Sequence, residues 1–187
     1  MKIKDCWLTP NRWSRPQRRL PTIKGIVIHW VANPNTTAEA NRNFFESRKT
    51  GDKGFGSAHE IIGNQGEIIR CIPEHEMAYH VGSKSYQKEG IKRLSTYPNN
   101  CTYGIECCHT DRAGRMKQAT VVTLIERLAI LCNRWQLNPL TDLYLHQEIV
   151  GWKDCHRWWV NNPDDWQALK WLVKAKMDTG ETSMDFK

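Results

Sequence analysis

The chain has 187 residues, 40% of them hydrophobic and 25% charged, the make-up of an ordinary globular protein of one domain that buries its own core. It holds no apolar run of about 18 residues, which excludes a helical membrane span, and residues 1–10 are charged without an apolar stretch, so no secretory leader is expected. The 27 Lys and Arg against 20 Asp and Glu leave a net charge of +7, a bias toward anionic partners; with no regular basic stripe on a helix and no zinc-finger spacing, nucleic acid is not an expected partner.

Residues 1–21 read as an arm, interrupted by Pro10, Pro16 and Pro21 and crowded with Arg12, Arg15, Arg18 and Arg19. That arm is either a solvated basic segment or a binding device. In 23–30 the β-branched run Ile26-Val27-Ile28 predicts a strand buried on both faces, with His29 at its C-terminal end. Open α/β sheets present functional groups at such ends. Asn33-Pro34-Asn35 is a turn, after which Thr36 or Thr37 caps a helix running to about residue 49. The glycine-rich loop 51–56 lacks the Lys-Ser/Thr pair of a phosphate-binding loop. Strands are predicted over 58–62 and 67–72, joined by the hairpin turn Gly63-Asn64-Gln65-Gly66. Residues 77–81 form a short strand or an edge, and 82–100 a long loop of the kind that carries function.

Residues 103–108 predict a central strand with Glu106 inside it. The apolar stripe of 119–135 makes the clearest helix, stopped at Asn138-Pro139. Residues 143–145 make a short strand leading into His146, and Asn162-Pro163-Asp164 starts a last helix. A polar, fraying tail follows residue 177. There is no internal repeat and no second domain, and the mix of strands and helices is that of a single α/β domain. Seven cysteines, two of them adjacent and none in a Cys-x-x-Cys pair, read as reduced thiols in a cytoplasmic protein.

Five side chains carry potential chemistry. His29 ends a buried strand, and Glu106 places a carboxylate in an apolar strand, which is unfavourable unless it is paired or useful. His146, Lys153 and Cys155 follow the last strand, with Gly151 permitting a loop between them to fold back. If these strands are neighbours, His29, His146 and Cys155 can hold one zinc and leave a fourth position for water, whose pKa zinc lowers to about 7. Glu106 then serves as base and Lys153 as an oxyanion stabiliser. Each has a plain alternative: a satisfied core histidine, a paired glutamate, an inert buried thiol, a surface lysine.

Five segments stand in order along the chain: Val27-Ile28-His29-Trp30 with Asn33-Pro34 and Thr37-Ala38; Ser57-Ala58-His59-Glu60-Ile61-Ile62 with Gly66-Glu67-Ile68-Ile69; Ala78-Tyr79-His80-Val81-Gly82; Tyr103-Gly104-Ile105-Glu106; and His146 with Gly151, Lys153, Asp154 and Cys155. Asn162-Pro163-Asp164-Asp165-Trp166 follows them. Over about residues 22–175 this pattern resembles the zinc-dependent N-acetylmuramoyl-L-alanine amidases of the phage endolysin and bacterial autolysin type, relatives of the peptidoglycan recognition proteins. The resemblance implies a central mixed β-sheet flanked by helices. It implies Zn2+ on the residues matching His29, His146 and Cys155, a general base at Glu106 and a catalytic lysine at Lys153. The bond cut is the amide between the lactyl group of N-acetylmuramic acid and the first L-alanine of the stem peptide.

Three departures from the family pattern stand out. Trp152 is inserted before Lys153, His156 replaces a proline after the cysteine, and Ala58 replaces a tyrosine found in some relatives, which leaves Glu106 as the base. His59, His80, Trp30 and Trp152 are expected to contact substrate. The domain reading is a basic arm over 1–21, a catalytic domain over 22–177 and a polar tail over 178–187. The resemblance further implies a monomeric hydrolase of bacterial peptidoglycan that degrades the cell wall, held in the cytoplasm until a holin or lysis releases it. The competing reading is a non-catalytic peptidoglycan-binding module; retention of His29, Glu106 and Cys155 argues against it, because non-cleaving relatives commonly lose the thiolate.

Overall fold

The computed structural model describes residues 1–179. Residues 180–187, most of the expected tail, lie outside the described residues. Six strands, β1 (Lys2–Asp5), β2 (Gly25–Trp30), β3 (Glu60–Ile62), β4 (Glu67–Arg70), β5 (Thr102–Cys107) and β6 (Leu143–Leu145), form one sheet in the order β1-β4-β3-β5-β2-β6. The β3–β4 hairpin is antiparallel and every other pairing is parallel, so the sheet is mixed. Seven helices accompany it: α1 (Ala38–Ser47), α2 (Lys88–Ile91), α3 (Gln118–Trp135), α4 (Pro139–Asp142), α5 (His146–Val150), α6 (Arg157–Asn161) and α7 (Pro163–Asp178).

Alternation along β2 divides its side chains between two faces. Ile26 and Ile28 join Tyr103 and Ile105 of β5 in a core roofed by Leu124 and Leu128 of α3 and Leu169 and Val173 of α7. Val27 belongs to the opposite face, packed with Val81, Tyr144 and Ile149. His29 shares the side of Val27 by the same alternation, away from α3 and α7. The Thr37 hydroxyl accepts the Ala40 N–H at 3.1 Å and caps α1, as its sequence suggests. Thr120 and Thr123 of α3 donate to the carbonyls of Gly63 and Gly66 at 2.9 and 3.1 Å, locking the hairpin turn onto the helix.

Four expectations change. Residues 2–5, expected within an arm, form edge strand β1 beside β4; only the proline-broken stretch after it is irregular, and its charged side chains suit an exposed edge. Residues 77–81 are not a strand: the Asn99 side chain occupies the His80 and Val81 N–H groups at 3.1 and 2.9 Å. The long loop 82–100 contains the short helix α2. Pro139 begins α4 rather than merely ending α3, which stops earlier with Gln136 in the left-handed region at φ 56°.

The arm is packed. Leu8 and Leu20 are buried, and Arg15 grips both Glu76 oxygens at 2.8 and 2.9 Å and the Leu8 carbonyl at 2.8 Å. All seven cysteines are free thiols. Among the described residues no helix is long and apolar enough to cross a membrane.

Candidate metal centre and its cleft

Strands β5, β2 and β6 run parallel, so their C-terminal ends share one edge of the sheet. Register pairs His29 with Glu106 and Ile28 with Leu145, which places His146, the next residue, level with His29. At that point β6 turns into α5, and the Glu148 carboxylate accepts the Leu145 N–H at 2.6 Å to hold the turn. Gly151 ends α5 at φ 80°, where a Cβ would strike the Gln87 side chain at 2.0 Å. The chain then doubles back: the Cys155 carbonyl accepts the Gln147 N–H at 2.8 Å. The inserted Trp152 is absorbed outside this return, 67% exposed, with its indole N–H donating to the Ser83 hydroxyl at 3.2 Å.

The return brings Cys155 to the histidines. His146 Nδ1 lies 3.1 Å from His29 Nδ1, and Cys155 Sγ lies 3.6 Å from the same nitrogen. One ligand atom from each residue lies within 4.8 Å of the others, and all three side chains are buried. Burial, then the positive Lys153, holds the His146 pKa down to about 2. Burial and the neighbouring His146 and His80 hold His29 low as well. Burial pushes the Cys155 thiol up. Two neutral imidazoles and a thiol facing one point are a donor set for a borderline-soft divalent cation, whose charge would bring the thiol to thiolate. His146 Nε2 is enclosed without a partner, and the facing Nδ1 atoms can share at most one proton, so the residues fit a metal better than they fit one another.

A second layer sets the tautomer of His29. Thr102 offers His80 Nε2 its carbonyl at 3.3 Å and its hydroxyl oxygen at 3.2 Å, and that hydroxyl already donates to the Pro98 carbonyl at 2.7 Å. His80 Nε2 therefore carries the proton, and Nδ1 accepts from His29 Nε2–H at 3.1 Å. The lone pair of His29 Nδ1 is left pointing at His146 and Cys155. Gly104 makes room for this: a Cβ there would lie 2.6 Å from the His80 ring.

Glu106 stands beside this group on β5. Its Oε2 is enclosed with no hydrogen-bond partner, and burial raises the carboxyl pKa to about 8 against the pull of Lys153. Lys153 is exposed at the rim, and its charge acts on Glu106, His29 and His146 alike. A cleft of about 930 Å³ opens over the group, with Trp30, His80, Glu106 and Lys153 in its lining.

The other expected contacts divide. His80 reaches the cleft, but both of its nitrogens are committed within the fold. His59 is fully enclosed and absent from the cleft lining: Nδ1 accepts the Gly104 N–H at 2.9 Å, Nε2 bonds the Glu76 carbonyl at 2.9 Å, and the ring stacks on Tyr103. No atom of it is left for a substrate. Trp152 lies outside the cleft lining. His156 packs on Trp159, with its centroid 4.4 Å away, and does not join the three converging groups. Asn99 and Thr102 went unnoticed as site residues, because their bonds to His80 and Val81 span 18 to 22 positions of chain. Arg12 and Arg18 also line the cleft, carried by the arm whose crowded arginines offered a binding device.

A family model described as N-acetylmuramoyl-L-alanine amidase (Amidase_2) matches residues 18–158. The chain is 30% identical over 179 residues to the N-acetylmuramoyl-L-alanine amidase BlyA of Bacillus subtilis (strain 168), covering 92% of this chain and 47% of that protein. It thus spans about half the length of the curated relatives it matches. Among solved structures, the PlyG catalytic domain superposes with a TM-score of 0.72 at 18% identity, over 95% of this chain and 96% of that one. PlyL superposes with a TM-score of 0.70 at 18% identity, over 92% and 97%. Because the family model spans residues 18–158, three quarters of the sequence, the chain belongs to the N-acetylmuramoyl-L-alanine amidase family.

Proposed function

We propose that this chain hydrolyses the amide joining the lactyl group of N-acetylmuramic acid to L-alanine in bacterial peptidoglycan, with a zinc ion held by His29, His146 and Cys155. Family membership supports the bond. The observation that carries the mechanism is the convergence of three ligand atoms within 4.8 Å beside an unpartnered carboxylate. Zinc, when bound, polarises a carbonyl and lowers the pKa of water to about 7.

The chain's own residues do the rest. Glu106 takes the proton of the attacking water and hands it to the departing alanine amine. A carboxyl held near neutrality by burial suits both directions of that transfer. Lys153 presents positive charge from the rim toward the oxygen that becomes negative. His80 keeps the His29 ring in the tautomer and orientation the metal needs. Trp30 lines the cleft as an apolar wall. Residues 22–177 form the catalytic domain with the arm packed on it. The protein acts as a monomer at the cell wall, reached after release from the cytoplasm.

The test is turnover on purified cell walls, read as new alanine amino groups and free stem peptide. Zinc-loaded protein is expected to release both, and Glu106→Gln to lose about 10²–10⁴-fold in rate while binding one zinc. Walls left intact by zinc-loaded wild type would reduce the protein to a binder.

A further inference from the structure

We infer that Arg12 and Arg18, carried by the N-terminal arm into the cleft, form a subsite for the carboxylates of the stem peptide. The inference rests on the amidase reading and adds a specificity to it. The cleft lining collects Arg12, Arg18, Arg48, Lys84 and Lys153 from four separate stretches of chain, and its only carboxylate is Glu106. Such a wall attracts negative charge strongly.

The four arginines of the arm have different employments. Arg15 is consumed by Glu76. Arg19 is exposed and does not line the cleft. Arg12 and Arg18 do line it, and among the described residues neither has an ion-pair partner; Arg12 merely lies over the Trp13 ring at 5.1 Å. Arg48 is partly occupied, with Nη1 donating to the Gly54 and Phe55 carbonyls at 3.2 and 3.4 Å and Nε enclosed without a partner.

The backbone that presents Arg12 and Arg18 is pinned. The Asn11 side chain accepts the N–H groups of Trp13 and Ser14 at 2.7 and 2.8 Å. The Arg18 carbonyl accepts the Met77 N–H at 2.8 Å, and Leu20 N–H donates to the His75 carbonyl at 2.7 Å. The backbone that carries the two side chains is therefore fixed at the cleft before any ligand arrives, which limits the backbone entropy lost on binding. An aromatic row, Trp13, Phe55 and Tyr79, with successive centroids 4.7 and 5.1 Å apart, supplies apolar surface next to them.

The chemistry of the polymer selects the peptide as occupant. At the cut, the lactyl carboxyl is consumed in the amide, so the muramic residue brings no charge. The stem peptide does: a glutamate linked through its side chain keeps a free α-carboxylate, and a diamino acid with a second carboxyl adds another. Guanidinium forks match carboxylates in geometry and charge.

The experiment uses zinc-loaded protein and paired soluble muropeptides that differ only in whether the glutamate α-carboxylate is free or amidated. Wild type is expected to show a KM about 10-fold lower for the free acid, the size of one charge-assisted hydrogen bond. Arg12→Gln and Arg18→Gln should each raise KM for the free acid toward that of the amide, with kcat kept, and the double variant should lose the preference. Arg19→Gln removes the same charge outside the cleft and should leave the ratio unchanged. Equal KM values for the two substrates in wild type would overturn the subsite while leaving the amidase reading intact. An equal loss in Arg19→Gln would mean general attraction, and a loss seen only on walls bearing phosphate polymers would assign the arginines to those polymers; either overturns the inference. Release of stem peptide from neither muropeptide would sink the amidase reading itself.

Discussion

Glu60 on β3 and Glu106 on β5 are carboxylates carried by neighbouring strands of one sheet, and register sets them on opposite faces. Glu60 pairs with Ile105, and Glu106 with Ile61. On its face Glu60 is fully buried and meets Arg127 of α3, which donates from Nε at 2.9 and 3.1 Å and also from Nη2. Glu74 extends the network to Arg127 at 3.5 Å and to Arg134 at 2.7 Å. On the other face Glu106 has, among the described residues, no ion-pair partner, one enclosed oxygen without a hydrogen bond, and a raised pKa. The same residue type thus serves two ends. Where both oxygens are bonded, the carboxylate ties a helix to the sheet; where one is left without a partner, the fold keeps a base in reserve.

The contrast breaks most visibly at Arg127. Arg127→Ala leaves Glu60 buried and unpaired and is expected to cost about 3–5 kcal/mol, read from urea denaturation. Zinc content per folded molecule should not change. A loss under about 1 kcal/mol would show that the network is not what holds α3 to the sheet.

Glu106→Gln should move stability the other way. Burial lifts the folded carboxyl to a pKa of about 8 from its ordinary 4.5. Between those values the unfolded chain binds fewer protons than the folded one, so the stability of metal-free wild type falls as pH rises. The glutamine variant lacks that fall and should be more stable at pH 8, by on the order of 3 kcal/mol. Parallel pH profiles of the two metal-free proteins would mean that Glu106 is as well satisfied as Glu60.

The smallest effect sharpens the comparison rather than breaking it. His80→Ala should weaken zinc binding about 10–100-fold, measured by competition with a chelating dye, through loss of the bond that orients His29. Unaltered zinc affinity with lowered stability would move His80 to the structural side, with Glu60.

Much of this was legible along the chain. The buried run of β2 and the apolar stripe of α3 show in local periodicity, and the order of the motifs points to His29, Glu106, His146, Lys153 and Cys155. The edge strand β1 was hidden because its alternation is charged, Lys2, Lys4 and Asp5 around one Ile3. The helix α6 was hidden because five residues are too few to show a period.

The sequence by itself pointed to the sheet's central strands through local periodicity, and to the family, and through that resemblance to the side chains able to hold a metal, through the order of its motifs. Only the tertiary structure decided which polar groups are spent and which are free. His59 is closed off by Glu76 and Gly104, His80 is turned into a support for His29, and Arg15 is taken by Glu76 while Arg12 and Arg18 face the cleft. Those outcomes depend on partners that lie 17 to 61 positions away in the chain. Hydrogen bonds and burial act through space, and no local pattern carries them.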